Sequence, residues 1–535
     1  MPDGDEPVDV LIVGAGASGA AVAWSLAETR MKIVCLEQGG WMNSAEYPSA
    51  GRDWEARRFS DFSISPNRRQ LRADYPINEE DSPISVANFN AVGGSTILYA
   101  GHFPRFHPSD FKVRTLDGVA DDWPVDYALL EPYYAENDRM MGVSGLAGDP
   151  AYPPKESTMP PVPLGKSGAT LGRGFNKLGW HWWPSDTTIA TQPYDGRDQC
   201  VNLGACTSGC AQGAKATTDI TYWPHAIRSG VEVRTGCRVR EITVNDAGMA
   251  SGVIYYDDAG VEHSQQAEVV VVACNGVGTP RLLLNSCSNL FPDGLANSSG
   301  LVGKNLMFHP YASVQGVFDD PLDGYKGPGV CIWSQEFYET DTSRDFVRGY
   351  TFEINRGRGP VSTALTGMLS GRIPWGEDHH TAYRKLFNRI AGMVGICEDL
   401  PELHNTVTLD PRLKDSNGIP APKISYTLSE NSRKMLDHAV ARGSEVLRAA
   451  GAKEIMSEAP IAVGGWHLMG TARMGKDPAN SVVNEWGRSH DVKNLFIVDG
   501  SIFVTSAGVN PTRTIQALAL YIADSMKKRL ANLFD

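Results

Sequence analysis

A glycine turn between a short apolar run and a helical segment is the feature that most constrains the fold of this 535-residue chain. Residues 8–13 (VDVLIV) are mostly apolar, which is typical of a strand that a parallel sheet buries on both faces. Gly14, Gly16 and Gly19 follow in the spacing G-x-G-x-x-G, and residues 17–28 have the pattern of a helix. A strand, a tight glycine turn and a helix in this order predict a βαβ unit that binds a dinucleotide.

The residues after the turn can supply the polar contacts of such a unit. Ala17 and Ser18 begin the helix, whose free N–H groups and positive dipole end attract a pyrophosphate. A second strand over residues 32–36 ends at Glu37, 18 residues after Gly19, where a carboxylate can bind a ribose 2′-hydroxyl. An acidic residue at this position disfavours a 2′-phosphate. The N-terminus therefore predicts FAD or NAD as the cofactor.

Composition excludes several classes of protein. A chain of this length exceeds one compact core and predicts two domains or one elaborated large domain. The net charge of −13 argues against nucleic acid or an anionic membrane as a partner. Nine cysteines in so long a chain do not resemble a secreted disulfide framework, and residues 1–7 lack the basic start of a signal peptide. We therefore expect a cytoplasmic protein without a transmembrane helix.

Elements of the nucleotide-binding type recur toward the C-terminus. Residues 268–273 (EVVVVA) predict a fully buried strand, residues 495–498 (LFIV) a further strand, and residues 511–528 a long helix. A helix is also predicted between Ser429, a suitable N-cap, and Gly451, a suitable stop. Nucleotide-binding elements thus lie at both ends of the chain, with a different type of domain between them.

Less regular segments separate these elements. Residues 41–84 are polar and predict surface loop, and residues 145–170 contain six prolines that predict an extended connector. Short alternating patterns over residues 406–409 and 423–426 predict strands in the middle region.

Six motifs over nearly the whole chain resemble the glucose–methanol–choline (GMC) family of flavin-dependent alcohol oxidoreductases, in its bacterial sugar and glycoside (pyranose oxidase-like) branch. They are GAGASG with Glu37, GGSTILYAGHFPR from Gly93, NGVGTPRLLLNS from Asn275, VGKNLMFHP from Val302, HLMGTARM from His467 and VDGSIFVTSAGVNPTRTIQALA from Val498. The two C-terminal motifs are the most specific. This resemblance implies FAD rather than NAD.

The resemblance also implies an α/β fold with two domains. A Rossmann-like, glutathione-reductase-type FAD-binding domain would be assembled from residues 1–310 and 456–535, with loop insertions near 41–84 and 145–222. Residues 311–455 would form an α+β substrate-binding domain built on an antiparallel sheet.

Further cofactor contacts are implied by the same motifs. Gly93, Gly94 and Ser95 would pass beside the flavin, where small residues allow close backbone approach. Val239 would contact the adenine. The C-terminal motif would contribute cofactor contacts from Asp499, Gly500, Asn510, Pro511 and Thr512.

The mode of flavin attachment follows from one position. Pyranose oxidases of the family bond FAD covalently to a histidine in the segment after the paired glycines. The corresponding place in this chain holds Ile97, which implies a non-covalent FAD. His102 and His309 lie in motifs that flank the flavin, and we expect structural contacts from both.

His467 and Asn510 are the predicted catalytic residues. Alcohol oxidation by flavin needs removal of the hydroxyl proton as hydride leaves carbon, and a neutral histidine can accept that proton near pH 7. The family sequence H-x-x-G-T appears here from His467, and its second catalytic position, eleven residues after Asp499, is Asn510. Asn510 would hydrogen-bond the substrate oxygen. Asn510 followed by Pro511 is also typical of a helix N-cap, which is the structural alternative.

Three cysteines leave a second alternative open. Cys200, Cys206 and Cys210 have the spacing C-x5-C-x3-C, which suits an iron–sulfur cluster. Some sugar dehydrogenases of the family carry such a cluster and pass electrons to a cytochrome subunit. Other members have a plain loop here, and no fourth ligand is evident. The sequence predicts no metal, with the cluster as the alternative.

Residues 398–426 resemble the family branch that acts on sugars and glycosides. This likeness implies oxidation of a secondary ring hydroxyl, at C2 or C3, to a keto-sugar. Aromatic residues that suit sugar faces in the middle region are Trp333, Tyr338, Tyr350 and Trp375. The electron acceptor would be O2 or a quinone or artificial acceptor, and a homo-oligomer or a small accessory subunit is compatible with the resemblance. The remaining alternative is a catalytically silent flavoprotein subunit.

Overall fold

The computed structural model describes residues 5–51, 54–356 and 359–529, so the ends of the predicted domain ranges, at 1–4 and 530–535, lie outside it. The strands in these ranges are β1 (Asp5–Val13), β2 (Ile33–Leu36), β3 (Asn78–Asp81), β4 (Trp183–Pro184), β5 (Glu232–Arg234), β6 (Arg238–Val244), β7 (Ala250–Tyr256), β8 (Glu262–Val272), β9 (Tyr311–Val317), β10 (Val330–Ser334), β11 (Tyr350–Asn355), β12 (Ile390–Cys397), β13 (Thr406–Lys414), β14 (Pro420–Ser425), β15 (Glu454–Glu458) and β16 (Leu495–Ile497). The α-helices are α1 (Ala17–Leu26), α2 (Trp54–Arg57), α3 (Pro66–Arg69), α4 (Val113–Asp117), α5 (Tyr127–Met141), α6 (Gly165–Leu178), α7 (Tyr222–Arg228), α8 (Asn275–Asn285), α9 (Pro360–Leu369), α10 (His379–Leu386), α11 (Glu430–Ala450) and α12 (Thr512–Arg529).

The first sheet has a parallel core built from both ends of the chain. Its strand order is β5-β2-β1-β8-β7-β6, and β16 also pairs with β8. Strands β5, β2, β1, β8 and β16 run parallel, whereas β7 and β6 continue from β8 as an antiparallel meander. Helix α1 follows β1 directly and packs against α12 and α7. The predicted α/β class with a Rossmann-like sheet is therefore observed.

The second sheet is antiparallel, as predicted for the middle region, and has the order β15-β9-β12-β11-β10-β4. Alternation along β11 assigns its two faces. Tyr350, Phe352 and Ile354 pack into a core with residues of α6 and α11, whereas Glu353 and Asn355 face a cavity. Its edge strands β4 and β15 come from residues 183–184 and 454–458. The predicted domain ranges stay a prediction.

Helix α11 shows how local sequence sets the bounds of an element. The Ser429 side chain accepts a hydrogen bond from the Ser432 N–H, and Gly451 ends the helix with φ 103°. Both residues have the roles predicted from sequence.

Two predicted irregular segments contain regular structure. Helix α6 begins at Gly165, inside the predicted connector 145–170, because the proline-rich part ends at Pro163 and the following residues Leu171 and Phe175 can pack against α11. Strand β3 lies inside the predicted loop 41–84 and pairs in parallel with β14 in a separate three-stranded sheet. In both cases a partner distant in sequence stabilises the element.

A buried arginine joins the second sheet to the segment around residue 110. Arg348 donates to Glu398 at 2.9 Å, to Asp110 at 2.5 Å and to Asp117 at 3.1 Å. The side chains of Arg348, Asp110 and Glu398 are each no more than 1 % exposed. These carboxylates depend on the guanidinium, because an unpaired buried charge is costly.

Arg348→Met should destabilise the protein by about 3–5 kcal/mol, because it leaves buried carboxylates without their cation. Thermal unfolding followed by calorimetry should show a clearly lower midpoint. Arg372→Met is the matched control, since Arg372 pairs with Glu454 at the surface, with exposed fractions of 33 % and 61 %. Equal midpoints for the two variants would contradict this role of Arg348.

Candidate active site

A cavity of about 410 Å³ has walls from both large sheets. One side is formed where β1, β8 and β16 end, and the other by side chains of β9, β11 and β12, which include Glu353, Val394 and Ile396. Ligands of open parallel sheets bind at the carboxyl ends of the strands, and this cavity lies there.

Most of the predicted site residues line this one cavity. They are Gly14, Gly16, Ala17, Ser18, Glu37, Gly94, Ser95, Val239, His467, Asp499, Gly500, Asn510, Pro511 and Thr512. Gly19 and Gly93 do not line it. Gly19 lies behind the wall, where a Cβ would clash with the Gly14 carbonyl oxygen, so it serves the close packing of α1 on β1.

The protein backbone at the two glycine turns of the cavity wall allows the close approach of a dinucleotide. Gly94 has φ 54°, and a Cβ there would lie 2.9 Å from Gly16 Cα, so the two glycine turns meet with only backbone between them. Glu37 directly follows β2, and its carboxylate oxygens accept hydrogen bonds from the Ala15 and Gly39 N–H groups, each at 2.8 Å. Burial raises the pKa of this carboxyl. The segment that contains Val239 lies along the same wall.

The register of one β-bridge brings two histidines together. Met307 and Met469 form an antiparallel bridge, with mutual N–H to carbonyl bonds of 3.0 and 3.1 Å. Residues two positions away on opposite sides of such a bridge face each other. His309 and His467 are these residues, and their Nδ1 atoms are 2.6 Å apart.

Backbone carbonyls set the protonation pattern of this pair. His309 Nε2 lies 2.7 Å from the Ala507 carbonyl oxygen, which can only accept, so Nε2 carries the proton. Burial lowers the pKa of His309 to about 4, so its Nδ1 is an acceptor at neutral pH. His467 Nδ1 must then be the donor in the short contact. Burial and the proximity of His309 also lower the pKa of His467, which leaves its Nε2 unprotonated and able to accept a proton.

Asn510 does not act as a helix N-cap. Helix α12 begins at Thr512, and the Asn510 Oδ1 atom is buried without a hydrogen-bond partner in the described part of the chain. A capping role requires that oxygen to accept an N–H of the first turn. The side chain instead donates to the carboxyl of Glu353.

Sequence reasoning missed Glu353 and Tyr311 of this cavity wall and expected only a structural contact from His102. Glu353 is only 5 % exposed, Tyr311 places its hydroxyl 3.1 Å from His467 Nδ1, and His102 lies 3.5 Å from Glu353. His309, expected as a structural contact, is bonded to His467. The alternation in YTFEIN of β11 could have placed Glu353 on a polar face, but not in a cavity.

The aromatic residues predicted for the sugar site, and Ile97 after the paired glycines, lie outside the cavity wall. The aromatic residues Trp333, Tyr338, Tyr350 and Trp375 do not line the cavity, since three are buried among core contacts and Trp375 is 88 % exposed. Aromatic residues that do line it are Tyr75, Phe89, Tyr99, Tyr311 and Trp466. After the paired glycines, Leu98 lines the cavity and Ile97 does not.

The three clustered cysteines are free thiols outside the cavity wall. Cys200, Cys206 and Cys210 form no disulfide. Among the described residues, no group of three or more His, Cys, Asp or Glu side chains is arranged to hold a metal ion.

No described helix has both the length and the apolar character needed to span a membrane.

Comparison with known proteins assigns the family. Family models described as GMC oxidoreductase match residues 161–311 and 401–519, and a NAD(P)-binding Rossmann-like model matches residues 12–75. A 2-methyl-1,2-propanediol dehydrogenase from Mycolicibacterium austroafricanum is 41% identical, with 100% of this chain and 98% of that protein covered. The chain belongs to the GMC oxidoreductase family. It is an oxidoreductase of a family of FAD-binding flavoproteins that act on hydroxyl donors.

Two further comparisons extend this result. The GMC oxidoreductase is 28% identical to a fructose dehydrogenase large subunit from Gluconobacter japonicus, with 97% of each chain covered. The crystal structure of pyridoxine 4-oxidase from Mesorbium loti superposes with a TM-score of 0.66 at 17% identity, over 97% of this chain and 99% of that one. This structural likeness confirms the predicted fold.

Gly94→Ala should lower the flavin content of the purified enzyme, because its Cβ would enter the space between the two glycine turns. The ratio of visible flavin absorbance to protein absorbance measures this loss. Gly371→Ala is the matched control, since Gly371 has a similarly positive φ of 69° but no atom of the described residues within 4 Å of an added Cβ. Equal flavin contents would show that the close approach at Gly94 is dispensable.

Proposed function

We propose that this GMC oxidoreductase binds FAD non-covalently and oxidises a substrate hydroxyl with His467 as the general base. The observation that carries the proposal is the ordered proton chain from the Ala507 carbonyl through His309 to His467. It leaves a basic nitrogen at the cavity wall without the need for a neighbouring carboxylate. Non-covalent binding is supported by the absence of histidine at positions 97 and 98.

Each residue has a defined part in this reaction. His467 Nε2 takes the hydroxyl proton, and the Asn510 side chain hydrogen-bonds the substrate oxygen. FAD held along the glycine turns of Gly14 to Gly19 and Gly94 would supply the hydride acceptor for the carbon that becomes a carbonyl. His309 holds the His467 ring in place and keeps its reactive nitrogen free of a proton. Helix α12 starts at Thr512 in the cavity wall, where its positive end favours negative charge.

The substrate is proposed to be a polyhydroxylated compound. The sequence resemblance supports a sugar or glycoside that is oxidised at a secondary ring hydroxyl, at C2 or C3. Residues 311–455 would act as the substrate-binding domain. The relatives are named for a small diol and for fructose, so both kinds of substrate carry several hydroxyls. Support from the structure comes from the polar wall of Glu353, His102 and Tyr311 rather than from the expected aromatic residues.

The deciding experiment is anaerobic mixing with a panel of sugars, glycosides and small diols while flavin bleaching is followed. Addition of oxygen then tests the acceptor, because prompt reoxidation with peroxide indicates an oxidase and slow reoxidation indicates a quinone or artificial acceptor. Bleaching by simple alkyl or aryl alcohols alone would contradict a polyhydroxylated substrate.

His467→Ala should lower turnover by about 10²–10⁴-fold and keep the flavin, because it removes the general base without changing the cofactor wall. His380→Ala, at an exposed position of α10, is the control for loss of a histidine. The rate of anaerobic flavin reduction is the measurement. Wild-type rates in His467→Ala would exclude this base.

The pH dependence tests the protonation state of His467. Its neutral form is the active base, so a pKa lowered by burial and by His309 extends activity toward acid pH. His309 stays neutral above its pKa of about 4, and burial raises the pKa of Tyr311, so neither neighbour titrates near pH 6. We expect kcat/KM on the acid side to stay constant down to about pH 6. An acid limb centred on the ordinary histidine pKa of about 6.5 would contradict the assignment.

A further inference from the structure

Three side chains on one wall of the cavity carry polar atoms that find no hydrogen-bond partner among the residues that the structure describes. They are Glu353 Oε1, both ring nitrogens of His102, and Asn510 Oδ1. Glu353 and His102 are only 5 % and 3 % exposed. Buried polar groups in folded proteins are nearly always paired, so a cluster of unpaired ones in a cavity wall indicates a ligand that pairs them.

The cluster adjoins the predicted catalytic pair. Asn510 donates to the Glu353 carboxyl, and His102 Nε2 lies 3.5 Å from Glu353 Oε2. Tyr311 lines the same cavity and places its hydroxyl 3.1 Å from His467 Nδ1. A ligand bound at Asn510 and His467 therefore reaches Glu353 without leaving the site.

The backbone holds these groups in fixed positions. Glu353 lies in β11, which pairs on one side with β10, opposite Trp333, and on the other with β12, opposite Val394. His102 is held by a bridge to Thr187. A carboxyl on a strand paired along both edges cannot turn toward solvent to find another partner.

The chemistry of the cluster selects a neutral polar group. Burial raises the pKa of Glu353 to about 8, only partly offset by Asn510, and lowers that of His102 to about 3. At neutral pH the pair then consists of a carboxylic acid, which donates, and an uncharged imidazole, which donates at one nitrogen and accepts at the other. A hydroxyl both donates and accepts, so it satisfies both partners.

We propose that Glu353 and His102 form the binding site for a second substrate hydroxyl, on the carbon next to the one oxidised, so that the enzyme selects vicinal diols. The Asn510 side chain donates to the Glu353 carboxyl, so hydroxyls on adjacent carbons can meet these two neighbouring side chains. This inference rests on the proposed function, since it places the first hydroxyl at His467 and Asn510.

The test compares substrates that differ by one hydroxyl. Propylene glycol, n-propanol and isopropanol share a carbon chain. Methyl glucoside carries vicinal hydroxyls on a sugar ring. Wild-type holoenzyme should prefer propylene glycol over both monoalcohols by about 10²-fold or more in kcat/KM, because a buried site built for a hydroxyl rejects analogues that lack it.

Variants of Glu353 should change this preference selectively. Glu353→Leu should lose far more activity on the diol than on the monoalcohols, so that the ratio falls to near one. Glu353→Gln should keep most of the preference, because an amide still donates and accepts. Glu454→Gln, an exposed carboxyl in the same sheet, is the control that should change nothing. A selective loss of activity on propylene glycol in Glu353→Leu supports the subsite for small diols. A selective loss on methyl glucoside supports it for sugars, and a loss on both supports it for either kind of diol.

Two results would overturn the inference. Equal losses on diol and monoalcohols in Glu353→Leu would show that Glu353 only positions Asn510. A wild-type preference for isopropanolamine over propylene glycol would show that the carboxyl pairs with a cation instead.

A binding measurement separates this inference from the proposed function. If no alcohol reduced the wild-type flavin, the proposed function would fail, and the subsite would be tested by flavin difference spectra during titration of His467→Ala with propylene glycol and n-propanol. The subsite is supported if His467→Ala binds propylene glycol more tightly than n-propanol and the double variant His467→Ala/Glu353→Leu does not. Equal binding of the two alcohols contradicts it.

Discussion

The pairing of β8 with β1 on one side and with β16 on the other is the constraint on which the rest of the structure depends. Val272 of β8 lies opposite both Val13 and Ile497, so strands from the two ends of the chain finish at one edge. The glycine turn after β1 and Asp499 after β16 therefore meet at one cavity. Without this pairing, no cofactor site is formed, because neither end of the chain contains the whole wall.

The antiparallel sheet closes the other side of the cavity, and its alternation determines what the substrate meets. Even-numbered residues of β11 pack against α6 and α11, which turns Glu353 toward the cavity. A single bridge between Met307 and Met469 then aligns His309 with His467. Glu353, His102 and Asn510 each bring a buried polar atom to this cavity that finds no partner among the described residues.

Much of the cofactor side was predictable from the sequence, because its signals are local. The spacing of Gly14, Gly16 and Gly19 and the position of Glu37 express a turn, a helix start and a strand end within a few residues of each other. The caps of α11 were predictable for the same reason. Errors arose where a distant partner decides the outcome, as for α6 inside the predicted connector and β3 inside the predicted loop.

The substrate side was much less predictable. A polar residue on an alternating strand is usually solvent-exposed, so the sequence around Glu353 carries no sign of burial. The aromatic residues chosen from sequence point into the core or into solvent, since residue type does not reveal which face of a sheet borders a cavity.

The sequence by itself determined the nucleotide-binding turn, the family and the identity of His467 and Asn510 as candidate catalytic residues, because motif spacing is a local property of the chain. Only the tertiary structure decided which nitrogen of His467 is free to accept a proton, that Asn510 is not a cap, and that Glu353 and His102 face the same space. These properties depend on strand register and burial, which join residues more than a hundred positions apart.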